Sequence, residues 1–175
     1  MKINTGHEFM VKPRYAHISP SRQNSGVVPQ PPLELPVPDG AAVIPLPRAA
    51  DLVVPAMDLR TAIESRRTIR AYSEAPLSLD ETAYLLWVSQ GVKRVSKRPS
   101  TARTVPSAGA RHAFETYLLV NRVEGLNSGL YRYAAIEHDL LRLDAPADIA
   151  ERIAHACLDQ SQVTGSAATF IWAAV

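Results

Sequence analysis

The chain has 175 residues, is 46% apolar and carries a formal charge of +2, enough to bury one ordinary core and too mild to make nucleic acid its expected main partner. No run approaches the ~20 apolar residues that span a bilayer, and the N-terminus MKINTGHEFMVKPRYAH lacks the apolar stretch of a secretory leader, so the expectation is a cytoplasmic protein without a membrane partner. Cys157, the only cysteine, excludes an internal disulfide framework and any multi-cysteine zinc site, and is expected to be a small core residue.

Ten of the 14 prolines precede residue 56, where fixed φ angles and missing amide donors discourage helices and central strands. Residues 1–56 therefore read as a Pro-rich extended arm and 57–175 as the folded domain. Leu33, Leu35, Val43, Ile44 and Leu46 make the arm apolar for a free linker. It either lies along the domain or a partner subunit, or is a partly disordered leader.

Beyond the arm, MDLRTAIESRR predicts a helix capped by Asp58 with Leu59, Ala62, Ile63 and Arg66 on one face. SLDETAYLLWVSQG predicts a second, with Ser78 and Glu81 in capping-box spacing and a stop at Gly91. Residues 92–113, with five basic residues before Val105 and no sustained period, read as a long loop. FETYLLVNR reads as a strand, and SGLYRYAAIEHDLLRLD as a hairpin pairing residues 130–133 with 140–143. PADIAERIAHACLDQ reads as an amphipathic helix. The apolar run ATFIWAAV reads as a strand buried on both faces. Because the chain ends inside that run, the expectation is a polypeptide shorter than its domain.

Two segments could carry chemistry. SRRTIRAYS holds Arg66, Arg67 and Arg70 around Thr68, permanently charged planar forks beside a hydroxyl, which suit a phosphate. A solvated helix end, with cations meeting the helix dipole, explains the same residues. RTVPSAGARHAFE places Pro106, Ser107, Ala108 and Gly109 in a turn before a strand, able to lay backbone groups against a flat heterocycle or to be an ordinary loop-to-strand turn. No GxxxxGK[ST] or GxGxxG loop occurs, and no Ser-His-Asp or Cys-His set is defined, so no catalytic residue is assigned. His138 and His155 read as surface histidines, not metal ligands, and no metal site is expected. Tyr131, Tyr133 and Trp87 read as packing residues. His112 reads either as a proton or hydrogen-bond donor or as a polar group at a site's rim.

Taken together, the RR[ST]-x-R segment, the PSAG turn and GLYRY resemble the N-terminal half of the nitroreductase-like flavoproteins, over residues 52 to 175. The nearer resemblance is to the azoline (thiazoline/oxazoline) dehydrogenase-type branch. The resemblance implies an α+β nitroreductase fold: a central, mostly antiparallel sheet flanked by helices, truncated here at the C-terminus. It implies FMN as cofactor, its phosphate held by Arg66, Arg67, Thr68 and Arg70, and its ring edge bordered by Pro106, Ser107, Ala108 and Gly109. It also implies an FMN-dependent oxidoreductase acting on a small-molecule substrate, with NAD(P)H as donor or an azoline-type substrate to oxidise, and a homodimer. Arg111, His112 and Ala113 depart from the branch's PSAGALYPLE-like run, which alters the substrate-side wall. The alternative reading is a truncated, non-catalytic anion-binding or subunit-interface module.

Overall fold

The structure, a computed structural model, describes residues 5–97 and 100–175. Its backbone divides into two compact units, residues 1–32 and 33–175. In the first, the short helix α1 (Thr5–Val11) is followed by a 3₁₀ turn at Tyr15–His17.

The second unit is an α+β assembly. In chain order it contains β1 (Ala42–Pro45), α2 (Leu59–Ser65), α3 (Leu79–Gln90), β2 (Val92–Val95), β3 (Thr101–Arg103), β4 (Phe114–Val120), β5 (Gly129–Ala134), β6 (Asp139–Arg142), α4 (Ile149–Ala156), α5 (Gln162–Gly165) and β7 (Ala168–Ala174). Five strands form one antiparallel sheet in the order β1-β6-β5-β4-β7. The antiparallel α+β architecture expected from sequence is thus present.

Strand alternation sorts the core. Cross-strand neighbours Leu118 and Tyr131, and Tyr133 and Leu140, share one face, where Ala83 and Leu86 of α3 pack on them in a single buried cluster. Leu86, Leu118 and Leu140 are fully buried, each contributing about 1.5–3 kcal/mol by removal from water. Helix α3 begins where its sequence says it should: Ser78 Oγ accepts from the Glu81 amide while the Glu81 carboxylate accepts from the Ser78 amide. It ends at Gly91, whose amide bonds Trp87 O at 2.7 Å and where any Cβ would collide with the Trp87 ring and carbonyl.

The opposite face is buried as well, and two of its positions are charged. Glu115 and Arg132 sit diagonally across β4 and β5, both under a tenth exposed. The Pro-rich stretch at residues 33–36 bonds to both of them: Leu35 N donates to Glu115 Oε1 at 2.7 Å, and Arg132 Nη2 donates to Pro36 O at 2.6 Å.

Four expectations are corrected. Residues 92–113 are not a continuous loop, because β2 and β3 pair as a hairpin within them; Arg98 and Pro99 of that stretch lie outside the described residues. The terminal run forms β7, which among the described residues is an edge strand paired with β4, half-covered and with Trp172 exposed, so it is not buried on both faces. Cys157 is exposed, because it stands at the C-cap of α4, past the helix's last turn. Helix α2 forms with Asp58 as its cap, bonded to the Thr61 amide, but Leu59 and Ile63 are exposed and Arg66 lies beyond the helix in extended backbone.

Candidate functional site

Helix α2 stops at Ser65 with no basic residue in its last turn, so the cations of the SRRTIR segment stand past the helix end. Arg66, Arg67, Thr68 and Arg70 are all exposed in coil, and none of the four side chains makes a hydrogen bond or ion pair among the described residues. The segment's downstream root is held firmly. Arg122 Nη2 donates to Ser73 O at 3.1 Å and to Gly165 O at 2.8 Å, and Leu77 exchanges backbone bonds with Arg122 and Glu124. The arginine segment therefore hangs from the C-terminal end of β4 as a set of free, permanently charged donors.

The PSAG segment enters the other end of the same strand, so the roots of the two segments are separated by the seven residues of β4, about 20 Å of extended backbone. Pro106, Ala108 and Gly109 are exposed and Ser107 is half-buried. Gly109 is left-handed at φ 62°, where glycine is at ease, and Ala110 and His112 follow at φ 53° and 46°, where an L-residue is strained. The turn closes on itself: Ser107 O accepts from the Ala110 amide at 3.1 Å, and Ser107 Oγ accepts from the His112 amide at 2.9 Å. Strained backbone of this kind persists only where its surroundings hold it, and it recurs at ligand clamps. The root of the turn is clamped, since Thr104 N donates to Gly91 O and Thr104 Oγ1 to Trp87 O, tying it to the end of α3. No hydrogen bond or ion pair among the described residues joins the arginine segment to the PSAG turn.

His112 is half-buried, and burial, reinforced by the Arg103 charge, pushes its pKa below the usual imidazole value. Both effects favour the neutral imidazole.

His138 corrects the reading of a surface histidine. It lies at the end of the β5–β6 turn at φ 64°, with the Tyr133 hydroxyl 2.6 Å from Nδ1 and Pro47 O 3.0 Å from Nε2. A carbonyl only accepts, so Nε2 carries the proton and Tyr133 donates to Nδ1. Tyr131 and Tyr133 are the packing residues expected from sequence, both fully buried. Burial lowers the His138 pKa, more than its hydrogen bond to Pro47 raises it. A histidine depressed in the folded state adds stability above its unfolded value of about 6.5 and loses it as pH falls through the folded value. Urea midpoints should therefore fall as pH drops below about 6.5 in the wild type. His138→Gln should flatten that slope; an equally steep slope in the variant would show that another group sets it.

His155 is exposed and paired with Asp159 at 3.1 Å. Among the described residues no three His, Cys, Asp or Glu side chains gather in a metal-binding group. No helix among them is long and apolar enough to cross a membrane. The buried pair Glu115–Arg132 is not among the residues the sequence singles out. Its signal is there: opposite charges at positions that share a face with Leu119 and Leu130.

Fold and site together define an α+β protein in which an antiparallel sheet presents a cationic segment at one end of its long strand and a strained glycine turn at the other. The chain belongs to the nitroreductase family, whose sequence profile matches residues 63–174, from α2 through β7 and including both segments. It is 33% identical over 102 residues to a Methanocaldococcus jannaschii protein assigned to the nitroreductases, covering 58% of this chain and 49% of that one. A solved structure from Anabaena variabilis, assigned to the same group, matches with a TM-score of 0.52 at 25% identity, over 67% of this chain and 23% of its own. One from Ralstonia eutropha matches with a TM-score of 0.48 at 28% identity, over 70% and 55%. The chain thus spans about half the length of the curated relative it matches.

Proposed function

We propose that this chain is the FMN-binding portion of an oxidoreductase, within the azoline dehydrogenase-type branch of the family. The observation that carries the reading is the cluster Arg66, Arg67, Thr68 and Arg70: three guanidinium groups and a hydroxyl, exposed and without partners among the described residues, on a segment rooted in the sheet. That donor set fits a phosphate monoester, whose dianion needs planar, charged donors to leave water. The turn fits a flat ring, because Gly109 is exposed and a Cβ there would have only the Arg111 side chain within 4 Å, leaving its backbone open to close approach.

Arg66, Arg67 and Arg70 with Thr68 would hold the phosphate, and Pro106, Ser107, Ala108 and Gly109 would border the ring edge. Bound FMN supplies hydride acceptance and donation at its N5. The protein's own part is to anchor, to orient and to set polarity, which is consistent with a chain in which no acid–base dyad is defined. His112, next to the turn, would donate or accept a hydrogen bond on the substrate side. The reaction is either NAD(P)H-dependent reduction of a small acceptor or oxidation of an azoline-type substrate, in a cytoplasmic enzyme.

A homodimer is part of this reading. Leu59 and Ile63 on α2, with Met57, Ile69 and Tyr72 around it, are all at least half exposed, an apolar surface suited to burial against a second subunit. The same surface also favours the alternative reading, a subunit-interface module without catalysis. Anaerobic mixing of the FMN-loaded protein with NADPH, and separately with a thiazoline, discriminates among these readings. Bleaching of the flavin band by either compound supports an oxidoreductase and selects its donor, whereas bleaching by neither, with FMN bound, favours the module.

A further inference from the structure

Four consecutive residues of the Pro-rich segment, 33–36, each bond to a different part of the folded unit. Arg103 Nη2 donates to Leu33 O at 3.3 Å, and Ile136 N donates to the Glu34 carboxylate at 3.3 Å. Leu35 N and Pro36 O bond to the buried Glu115 and Arg132 described above. The segment is a strap, fixed at each residue by a directional polar bond.

Such a strap is a costly way to gain stability. Buried charges lose hydration that apolar packing would not forfeit, so charged and hydrogen-bonded anchors are better suited to setting geometry than to adding free energy. Arg103 shows which geometry is set. All three of its guanidinium nitrogens are used: Nε on Thr101 Oγ1 at 3.2 Å, Nη1 on Gln90 Oε1 at 3.4 Å and Nη2 on Leu33 O. It is buried, ends β3, and immediately precedes Thr104, which is itself tied to Trp87 and Gly91. The root of the PSAG turn is therefore clamped by the end of α3 on one side and by the strap on the other. Beyond that clamp lie the strained residues Ala110 and His112, which need an external constraint to stay in place. The strap lies outside the residues 63–174 that match the family.

We propose that residues 33–36 are a brace which, through the Arg103 guanidinium, holds the 106–112 turn in its ligand-ready conformation. Glu34 and Arg103 are then positioning residues that act on the bound ring only through the turn. The relevance of the brace to flavin rests on the reading that this turn borders FMN.

The test uses the full chain without cofactor, following amide hydrogen exchange of the wild type, Arg103→Lys and Glu34→Ala. Lysine keeps the charge but not the planar fork, so it cannot reach Leu33 O, Gln90 and Thr101 together. Glu34→Ala loosens the strap at its other side without touching the turn and covers the case in which Arg103→Lys folds poorly. The expected result is exchange at the Ala110 and His112 amides faster by at least about tenfold in both variants, with the Leu118 and Leu119 amides of β4 unchanged. Glu34→Gln, which keeps the acceptor for Ile136, should restore wild-type exchange. Unchanged turn amides in the variants, or uniform acceleration that includes β4, would overturn the brace. FMN affinity of the wild type, measured separately by fluorescence quenching, judges the flavin reading independently: a chain that binds no FMN can still show the brace, and one that binds FMN can still lack it.

Discussion

Replacing Arg66 and Arg70 together by Ala should weaken FMN binding by on the order of 1.5–3 kcal/mol for each charged hydrogen bond lost, a combined loss on the order of 10² to 10⁴-fold in affinity. The effect should be confined to binding. Neither side chain bonds to protein among the described residues, and both stand past the end of α2, so removing them should leave the urea midpoint of the cofactor-free chain in place. Arg66→Lys should lose part of the affinity, because an ammonium keeps the charge but not the bidentate fork. Isothermal titration with FMN and with riboflavin separates the phosphate from the ring: the double variant should lose affinity for FMN and keep what the chain has for riboflavin. FMN affinity equal to that of the wild type would remove the phosphate assignment.

The second large effect concerns the fold. Glu115→Ala should destabilise the chain by about 3–5 kcal/mol, because it leaves Arg132 buried without its carboxylate and strips the acceptor from the Leu35 amide. The two side chains are 4.0 Å apart and each is less than a tenth exposed, so water cannot readily replace the lost partner. Truncating both should cost less than the sum of the single changes, as a double-mutant cycle would measure. A loss under about 1 kcal/mol for Glu115→Ala would mean that the strap yields and water enters.

These two sites differ in how far sequence reveals them. The arginine segment is local: three guanidinium groups and a hydroxyl within five residues are legible as a cationic cluster without any fold. Helix α3 is legible for the same reason, since its capping box and its stop at Gly91 lie within one short segment. Strand β4 follows from its β-branched, aromatic and aliphatic content, and β5 and β6 from a hairpin pattern around a turn. The Glu115–Arg132 pair is not local. It depends on the register of β4 against β5 and on a strap eighty residues upstream, neither of which propensity encodes. The β2–β3 hairpin escapes for another reason: its strands are short and basic, and they form a separate two-stranded sheet that imposes no apolar period on them. The run forming β7 is apolar enough for a central strand, and composition alone cannot tell that it takes the edge position beside β4. His138 reads as a turn residue until Pro47, ninety-one residues away, supplies its acceptor.

The Pro-rich stretch at residues 33–36 shows how tertiary bonding can give order to a segment that its own sequence leaves without regular structure. Prolines keep residues 33–36 out of a ladder, yet each of the four finds a polar partner on another element. The apolar α2 face poses the converse case. Its periodicity is real and its cap is formed, but Leu59 and Ile63 remain exposed within this chain.

The most direct test of the central claim is an absorbance scan from 300 to 550 nm of the purified chain, before and after loading with FMN and desalting. A retained flavin band is expected, lost in the Arg66→Ala, Arg70→Ala double variant. A wild-type chain that stays colourless after loading would contradict that claim.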